Sequence, residues 1–382
     1  MIARRKLLIA AATVAAASVA RSGHELPVYP SYYPHEIEIT VTAPARAAEQ
    51  MRAGTLHAYI GGALDFSGTP PKSIGFAASL GAFIVLRLNP DSSFAKDEDS
   101  ACAAAAAITR DMAARGGDAG FVAHPYPVTP WHGDYLLHAD LADAARARFN
   151  GGDAAPARGD LKVRAEGALA ERLVRPEWRA GDGVWDAVVV EVGAREVVQS
   201  SAEIMNGWLG PRWTRSGWFH AHRLLSESLS QPRDKARADA SLARLNSGEI
   251  EDVAARANLE RDLVQALTAG CRALVAGYST KREYYSSEFS AGIENLSYDT
   301  LEGLNSPMFL RTVKLKDFPW NGWLHLAVGS RPEAAWNPIG GFGDPFGRLM
   351  WFATGDPAAI PSPYDHTWIL NRISEVQSTP PP

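Results

Sequence analysis

The chain has 382 residues, 46% of them hydrophobic and 21% charged, and a formal net charge of −5. This length exceeds the roughly 250–300 residues at which single hydrophobic cores stop growing, so two domains are expected. A mildly acidic chain has no electrostatic attraction to nucleic acid or to anionic lipid, and these two classes of partner are excluded first.

The first twenty residues have the pattern of an export signal. Three cations at positions 4–6 precede an Ala-rich apolar run, and Ser18 and Ala20 follow at a spacing that export peptidases accept. The run is too short for a membrane span. Its arginine pair leaves open whether the route is twin-arginine or general secretory export. Removing the three cations takes the net charge from −5 to −8, and we expect a periplasmic or secreted protein.

The two cysteines, Cys102 and Cys271, limit the redox chemistry. Cys102 lies in an Ala-rich run that predicts a helix, and Cys271 lies on an apolar helical stripe. We therefore expect buried free thiols that behave as small hydrophobes. A disulfide is the alternative in an oxidising compartment. No CxxCH motif is present, which excludes a c-type haem.

Residues 21–159 predict a first α/β lobe. Hydrophobic periodicity indicates the following elements in chain order: a strand ending at Val41, a helix closed by Gly54, a buried strand "TLHAYIGG", one or two strands in "SIGFAASLGAFIVLRLN", a helix over 97–116, a strand "AGFVAHPYPV" and a helix over 135–149. Strands alternating with helices favour a parallel or mixed sheet.

Residues 160–217 predict a second α/β segment with the same alternation of strands and helices. "DLKVRAEG", "ALAERLV" and "VWDAVVVEVG" are its predicted strand, helix and strand. Residues 218–283 predict a helical segment, with one long helix over 248–277 that Ser247 caps. Residues 284–382 predict a mixed part, rich in Trp, Pro and Gly, that packs on the lobes and includes a strand "FLRTVKLKDF".

Two segments share a helix–glycine–strand pattern. "AAEQMRAGTLHAYIGG" and "LAERLVRPEWRAGDGVWDAVVVEVG" each resemble the unit in which a helix, a glycine and an apolar strand carrying Asp-Ala follow one another in type II periplasmic solute-binding proteins, especially the phosphonate-binding-like group. Asp186-Ala187 fits that unit, whereas His57 stands where it usually carries Asp. The resemblance covers about fifty residues.

The resemblance implies ligand capture in a cleft between two lobes, with hinge closure. Such sites lie beyond the carboxyl ends of strands. In this chain that rule places the ligand beside the residues that follow the predicted strands: Tyr32, Tyr33, Tyr59, Gly61, Gly62, His124, Tyr126 and Glu191. The tyrosines at 32 and 33 have an alternative role in packing a proline-fixed segment.

Eight of the eleven tryptophans follow residue 200. Aromatic side chains with polar neighbours can form the wall of a ligand pocket, and Trp213 is the candidate chosen for that role. Packing of Trp on Pro in a core is the alternative. Arg311, with Lys281 and Arg282, could serve an anionic ligand.

Three histidines lie close together in "HPYPVTPWHGDYLLHAD". Loops can bring imidazoles to one metal ion at any spacing, so His124, His132 and His138 form a candidate metal site. The spacing matches no compact zinc motif. An Asp134 N-cap paired with His138 at the start of a helix is the competing explanation.

These patterns together predict an α/β protein with a two-lobed, mixed-sheet, solute-binding-like architecture and an added helical, Trp-rich C-terminal part. The leading hypothesis is an exported, periplasmic protein that captures a small molecule and works with an inner-membrane transporter or envelope partner. It requires no cofactor and no catalytic residue, and no complete catalytic motif is present. The alternative is an exported metal-dependent enzyme or metal-binding protein that uses a transition metal at the three histidines.

Overall fold

A computed structural model describes residue 34 and residues 36–117, 120–150, 161–181, 183–199, 212–229, 231–317, 322–332, 344–355, 357–365 and 367–375. The predicted signal peptide and the candidates Tyr32 and Tyr33 lie outside the described residues. None of the helices in these ranges is both long and apolar enough to cross a membrane.

The described strands are β1 (Glu36–Val41), β2 (Ala58–Ile60), β3 (Ile74–Leu88), β4 (Phe121–Ala123), β5 (Val163–Glu166), β6 (Ala187–Gly193), β7 (Ala273–Ser286), β8 (Ile293–Asn295), β9 (Lys314–Leu315), β10 (Trp323–Val328), β11 (Ala359–Pro361) and β12 (Trp368–Leu370). The described helices are α1 (Pro44–Arg52), α2 (Glu98–Arg115), α3 (Ala139–Asn150), α4 (Ala168–Leu173), α5 (Ala194–Gln199), α6 (Gly217–Leu225), α7 (Pro232–Ser247), α8 (Val253–Leu267), α9 (Pro307–Thr312) and α10 (Pro345–Thr354).

Eight strands form one mixed sheet in the order β1-β10-β2-β7-β3-β6-β5, with β4 paired to β7. The antiparallel pair of β3 and β7 runs through its centre, and its register shifts between Leu80 and Phe83. On one side of this shift lie the parallel strands β1, β10 and β2. On the other side lie β4, β5 and β6.

The register shift divides the described residues into two lobes, which we name lobe A (the described residues within 36–80 and 280–375) and lobe B (the described residues within 82–279). Each lobe has its own core. The lobe A core draws on Ile60, Phe309 and Leu326, whereas the lobe B cores are formed by residues between 83 and 278 together with Leu80, the residue of lobe A that adjoins the register shift. The predicted two-lobed, mixed-sheet α/β architecture is confirmed, whereas the domain boundaries at 159, 217 and 283 stay predictions.

The single helix predicted over 248–277 is wrong. Gly248 ends α7 with φ +70°, a left-handed conformation that glycine adopts readily. Asp252, and not Ser247, caps the next helix by accepting a hydrogen bond from the Ala255 N–H. The apolar positions at Cys271 and Leu274 belong to the turn and to β7, because pairing with β3 overrides their helical spacing.

The strand predicted for "FLRTVKLKDF" is also wrong in its first half. Ser306 caps α9 through the Met308 N–H, and Pro307 occupies the first helical turn, where proline is favoured. Only Lys314 and Leu315 of that segment form a strand, β9. Arg311 therefore lies on a helix and not on a strand face.

Cys102 and Cys271 form a disulfide with an S–S distance of 1.99 Å, so the expectation of free thiols is wrong. The bond joins α2 to the turn before β7 inside lobe B. Because β7 begins at residue 273 and not inside a helix, the turn brings the two Cα atoms to 4.8 Å. The Arg148 guanidinium lies 2.9 Å from Cys271 Sγ.

Candidate functional site

Gly61 and Gly62 follow β2 and make their contacts within lobe A, so their role in ligand binding stays a prediction. The Gly61 N–H donates to Oε1 of Glu283 at 2.6 Å. The ring of Phe346 lies 2.5 Å from the position of a Cβ on Gly61, so α10 already occupies this space. Tyr59 is buried below them, with its hydroxyl 3.0 Å from the position of a Cβ on Gly329. This edge of lobe A is therefore closely packed by its own chain.

Glu283 is a fully buried carboxylate on β7. Its Oε1 accepts from Gly61 N–H, and its Oε2 accepts from Leu304 N–H at 2.6 Å. Lys281 Nζ lies 3.5 Å from Oε1. Both oxygens of Glu283 are thus occupied by the protein.

Glu302 lies beside Glu283 and pairs with Arg195, the second residue of α5. Lys281 Nζ donates to the Glu302 carbonyl at 3.1 Å. Burial acts to raise the pKa of Glu302, but the charges of Arg195, Lys281 and Arg348 outweigh it and hold that pKa at about 2. The side chains of Arg195 and Glu302 keep 31% and 23% of their surface accessible, so this pair can be reached from solvent.

Arg348, on α10, is only 7% exposed. Its guanidinium makes no hydrogen bond, and no ion pair within 4.0 Å, to any residue that the structure describes. Burial lowers its pKa; the charges of Glu302 and Asp344 oppose this effect, and that of Arg195 adds to it. The Asp344 carboxylate itself accepts from the N–H groups of Phe346 and Gly347.

We name Arg195, Lys281, Glu283, Glu302 and Arg348 the charged cluster. Arg195 belongs to lobe B, whereas the other four residues belong to lobe A. The cluster therefore lies where the lobes meet, and a change in the distance between the lobes changes the distances between its charges.

Two other contacts join the lobes. Arg215 of lobe B donates to Asp299 Oδ1 at 2.7 Å, and the same oxygen accepts from the N–H groups of Leu301 and Glu302. Gly133 of lobe B packs against Asp365 of lobe A, since a Cβ on Gly133 would lie 3.1 Å from the Asp365 Cβ. The described conformation is thus one in which the lobes are in contact.

His132 pairs with His220, a fully buried residue of α6. The Thr129 N–H donates to His132 Nδ1 at 2.9 Å, so the ring proton is on Nε2. This Nε2–H donates to His220 Nδ1 at 3.0 Å, and His220 Nε2–H donates to the Thr214 carbonyl at 3.0 Å. Burial lowers the pKa of His132 to about 3 and that of His220 well below 6.5. Both rings are neutral, and all their nitrogens are used.

The other two histidines of the predicted metal site pack separately in lobe B. His124 Nε2 lies 2.9 Å from the Val128 carbonyl oxygen, and His138 Nδ1 lies 3.0 Å from the Tyr126 hydroxyl. Burial is the main cause that lowers the pKa of each ring. His138 is fully buried, so the expected surface pair with Asp134 is wrong. Asp134 instead accepts from the N–H of Gly217 at the start of α6.

A three-histidine metal centre would need converging ligand atoms. Across the described ranges, the only three such atoms within 4.8 Å of one another come from Glu98, Cys102 and Cys271, and two of them are the disulfide sulfurs. The metal site at His124, His132 and His138 therefore stays a prediction without a converging set of ligands.

The remaining candidates have structural contacts away from the charged cluster. Glu191 accepts from Leu169 N–H at the start of α4, and Arg311 donates to the Gly355 carbonyl beyond α10. Trp213 stacks on Trp218 with ring centroids 5.8 Å apart, inside the packing of lobe B. His124 and Tyr126 are buried in lobe B as well.

Sequence reasoning missed Arg195, Glu283, Glu302 and Arg348. Arg195 had a usable signal, because it follows directly after the strand "DAVVVEVG". Glu283 was hidden because β7 was assigned to a helical segment. Glu302 and Arg348 lie in a loop and a glycine-rich stretch whose position depends on contacts distant in sequence.

No protein-family model matches the chain, and no curated protein matches it. Among solved structures, it is similar to HbpA2 from Haemophilus parasuis (12% identity, TM-score 0.41, 70% of this chain and 55% of that one). It is also similar to DppA from Helicobacter pylori in complex with the peptide STSA (11% identity, TM-score 0.40, 72% of this chain and 56% of that one). A third similar structure is NikZ from Campylobacter jejuni in complex with Ni(L-His) (14% identity, TM-score 0.34, 64% of this chain and 55% of that one). The chain thus spans little more than half the length of these proteins. Its own topology defines it as a two-lobed mixed α/β protein with a charged cluster between the lobes.

Proposed function

We propose that this protein is an exported, periplasmic solute-binding protein that captures a small molecule between lobe A and lobe B and passes it to an inner-membrane transporter. The observation that carries the proposal is that the paired strands β3 and β7 both run from one lobe into the other. Their register shifts at the boundary between the lobes. Two adjacent strands whose pairing is irregular at the lobe boundary are suited to hinge motion.

The contacts between the lobes support capture by closure. Arg195–Glu302 and Arg215–Asp299 are ion pairs whose partners lie on different lobes. Ion pairs of this kind can break and form again as a hinge opens and closes, whereas a large apolar interface would hold the lobes together. The accessible surface of Arg195 and Glu302 gives a ligand polar groups to bind.

The Cys102–Cys271 disulfide supports the proposed compartment, because disulfides persist in oxidising environments such as the periplasm. The signal pattern of residues 1–20 supports export on independent grounds.

An engineered disulfide between the lobes tests hinge closure. A Cβ added at Gly133 would lie 3.1 Å from the Asp365 Cβ. Disulfides join residues whose Cβ atoms are about 3.5–4.5 Å apart. The double variant Gly133→Cys/Asp365→Cys should therefore cross-link after a shift of less than about 1 Å. Gly133→Ala/Asp365→Cys is the matched control that cannot cross-link.

We expect small-angle scattering to give a smaller radius of gyration for the cross-linked protein than for the control. Native mass spectrometry with a metabolite panel should detect a complex in the control and none in protein cross-linked while empty. Equal radii, or equal ligand binding by both proteins, would refute capture by closure.

A further inference from the structure

We infer that the Cys102–Cys271 disulfide is a site of reversible thiol exchange, at which a dithiol attacks Cys102 and Arg148 stabilises the thiolate that Cys271 releases. Every residue concerned belongs to lobe B, so the site is independent of whether the lobes close on a ligand. Exchange of this kind makes the bond a redox-sensitive contact between α2 and the turn before β7.

Arg148, on α3, directs one nitrogen at both sulfur atoms. Its Nη2 lies 2.9 Å from Cys271 Sγ and 3.1 Å from Cys102 Sγ, while its Nη1 donates to the Ala269 carbonyl at 3.3 Å. A cation beside a cysteine lowers the pKa of its thiol, and a thiol of lower pKa leaves more readily in disulfide exchange. Arg148 is therefore placed to favour cleavage of the bond.

The two sulfur atoms differ in their access to solvent. Cys271 is fully buried, whereas Cys102 is half-buried. The side chains of Arg148 and Glu98 beside them keep 40% and 48% of their surface accessible, so the site opens to solvent. An attacking thiolate therefore reaches Cys102 and not Cys271.

Glu98, on α2, opposes the effect of Arg148. Its Oε1 lies 3.6 Å from Cys102 Sγ, and a carboxylate so close to a sulfur disfavours the thiolate form. The same oxygen accepts the Cys271 N–H at 2.9 Å. The two charged side chains at this disulfide thus act on its reduction in opposite directions.

The exchange proceeds in two steps. A thiolate of the dithiol attacks Cys102 Sγ, the S–S bond breaks, and its electron pair leaves on Cys271 Sγ as a thiolate beside Arg148. The second sulfur of the dithiol loses its proton to solvent, attacks the first in the mixed disulfide, and releases Cys102 as a thiolate that takes up a proton. The dithiol gives up two electrons and becomes a disulfide, and the protein gains two reduced cysteines.

Bonds other than the disulfide keep the two cysteines together after reduction. The Cys271 N–H is bonded to Glu98 of α2, and the Ala269 carbonyl is bonded to Arg148 of α3. These contacts hold the turn before β7 close to Cys102, so the two thiols are positioned to form the bond again when the reductant is removed.

Reduction of matched variants tests the inference. Free thiols of the mature protein would be counted over time in dithiothreitol at pH 7. We expect Arg148→Gln to slow reduction about tenfold or more, because a hydrogen bond to a charged sulfur is lost. Glu98→Gln keeps an acceptor for the Cys271 N–H and should speed reduction. Arg146→Gln, which removes an exposed cation from the same helix, is the control and should leave the rate unchanged.

A monothiol locates the sulfur that is attacked. Glutathione should form a mixed disulfide that, after quenching with acid, mass spectrometry of peptides finds on Cys102 and not on Cys271. Removal of dithiothreitol in the presence of air should restore the native bond in the folded wild type.

A purely structural role of Arg148 predicts the opposite rate effect, because lost contacts would loosen the turn and make Arg148→Gln faster to reduce. That result, an unchanged rate in Arg148→Gln, slower reduction of Glu98→Gln, or glutathione on Cys271 would each overturn the inference. A disulfide that no thiol reduces while the protein stays folded would do so as well. None of these outcomes bears on capture between the lobes, which the cross-linking experiment tests.

Discussion

The Glu283 carboxylate fills the space that a side chain on Gly303 would need, because Oε2 would overlap a Cβ at that position. Gly303 also has φ +69°, in the left-handed region where side chains are disfavoured. The loop that carries Glu302 can therefore approach β7 only because residue 303 has no side chain. One glycine sets the distance between the two carboxylates of the charged cluster.

Gly303→Ala should destabilise the protein and displace Glu283. The left-handed conformation costs an L residue about 1–2 kcal/mol, and overpacking adds about 1–3 kcal/mol. Gly248→Ala is the matched control, because Gly248 has φ +70° and nothing within 4 Å of its Cβ position. Urea unfolding of both variants should show the larger loss for Gly303→Ala; equal losses would contradict the clash.

The sequence could predict the elements whose pattern is local, and it could not predict those that depend on distant pairing. The strand and helix alternation of lobe B and the buried strand of β2 were predictable, because their periodicity is local. The 14-residue β7 was not. Its start was assigned to a helix, since Cys271 and Leu274 have helical spacing, and only the pairing with β3, about two hundred residues earlier, determines its conformation.

Removing the disulfide should destabilise lobe B. The bond joins residues 169 positions apart, and losing a native disulfide typically costs about 2–5 kcal/mol. The variant Cys102→Ala/Cys271→Ala should melt at a lower temperature than the oxidised wild type. A reductant should lower the melting temperature of the wild type and leave that of the variant unchanged. A wild type that does not respond to reduction would contradict the prediction.

The buried pair His132–His220 should make stability depend on pH. In the folded protein burial holds the pKa of His132 at about 3, whereas in the unfolded chain it lies near 6.5. Below about pH 6.5 the unfolded state therefore binds protons that the folded state does not. Stability is fully present above this pH and should fall by up to about 1.4 kcal/mol per pH unit for each ring as the pH decreases towards 3.

His132→Gln/His220→Gln tests this linkage. The variant should be less stable than the wild type at pH 7.5, because it disrupts the Thr129-to-Thr214 chain of hydrogen bonds. Its urea midpoint should nevertheless decrease less between pH 6.5 and 4.5. Parallel pH curves for the two proteins would show that these rings do not cause the dependence.

Arg348→Met should stabilise the empty protein. Methionine removes a buried charge whose attraction to Glu302 and Asp344 does not outweigh the cost of its burial, and replacing buried charges by apolar side chains can add about 1–4 kcal/mol. Arg195→Met should have the opposite effect, because it removes the partner of Glu302. The free energies of unfolding, measured without ligand, should thus move in opposite directions. A destabilised Arg348→Met would show that the attraction of Arg348 to Glu302 and Asp344 outweighs the cost of its burial.

The charged cluster was largely beyond sequence reasoning. Its members come from α5, from β7, from a loop and from α10. They come together only after β3 and β7 have paired. The candidates chosen instead, His124 and Tyr126, follow a strand as ligand residues often do, but β4 directs them into the packing of lobe B. The position of Gly61 directly after a buried strand was predictable, because β2 is short and its pattern is local, but its role in ligand binding stays a prediction.

The order of strands in lobe A has a consequence for how the protein is made. β1 and β2 are separated by only 16 residues in sequence, yet they are not neighbours, because β10 lies between them. Neither strand finds its parallel partner until residues 323–328 have been synthesised. Lobe B, in contrast, is continuous in the chain and can assemble first. A ribosome or translocation pore that releases the chain from its amino end therefore delivers a finished lobe B attached to a lobe A whose sheet is incomplete until β10 has emerged.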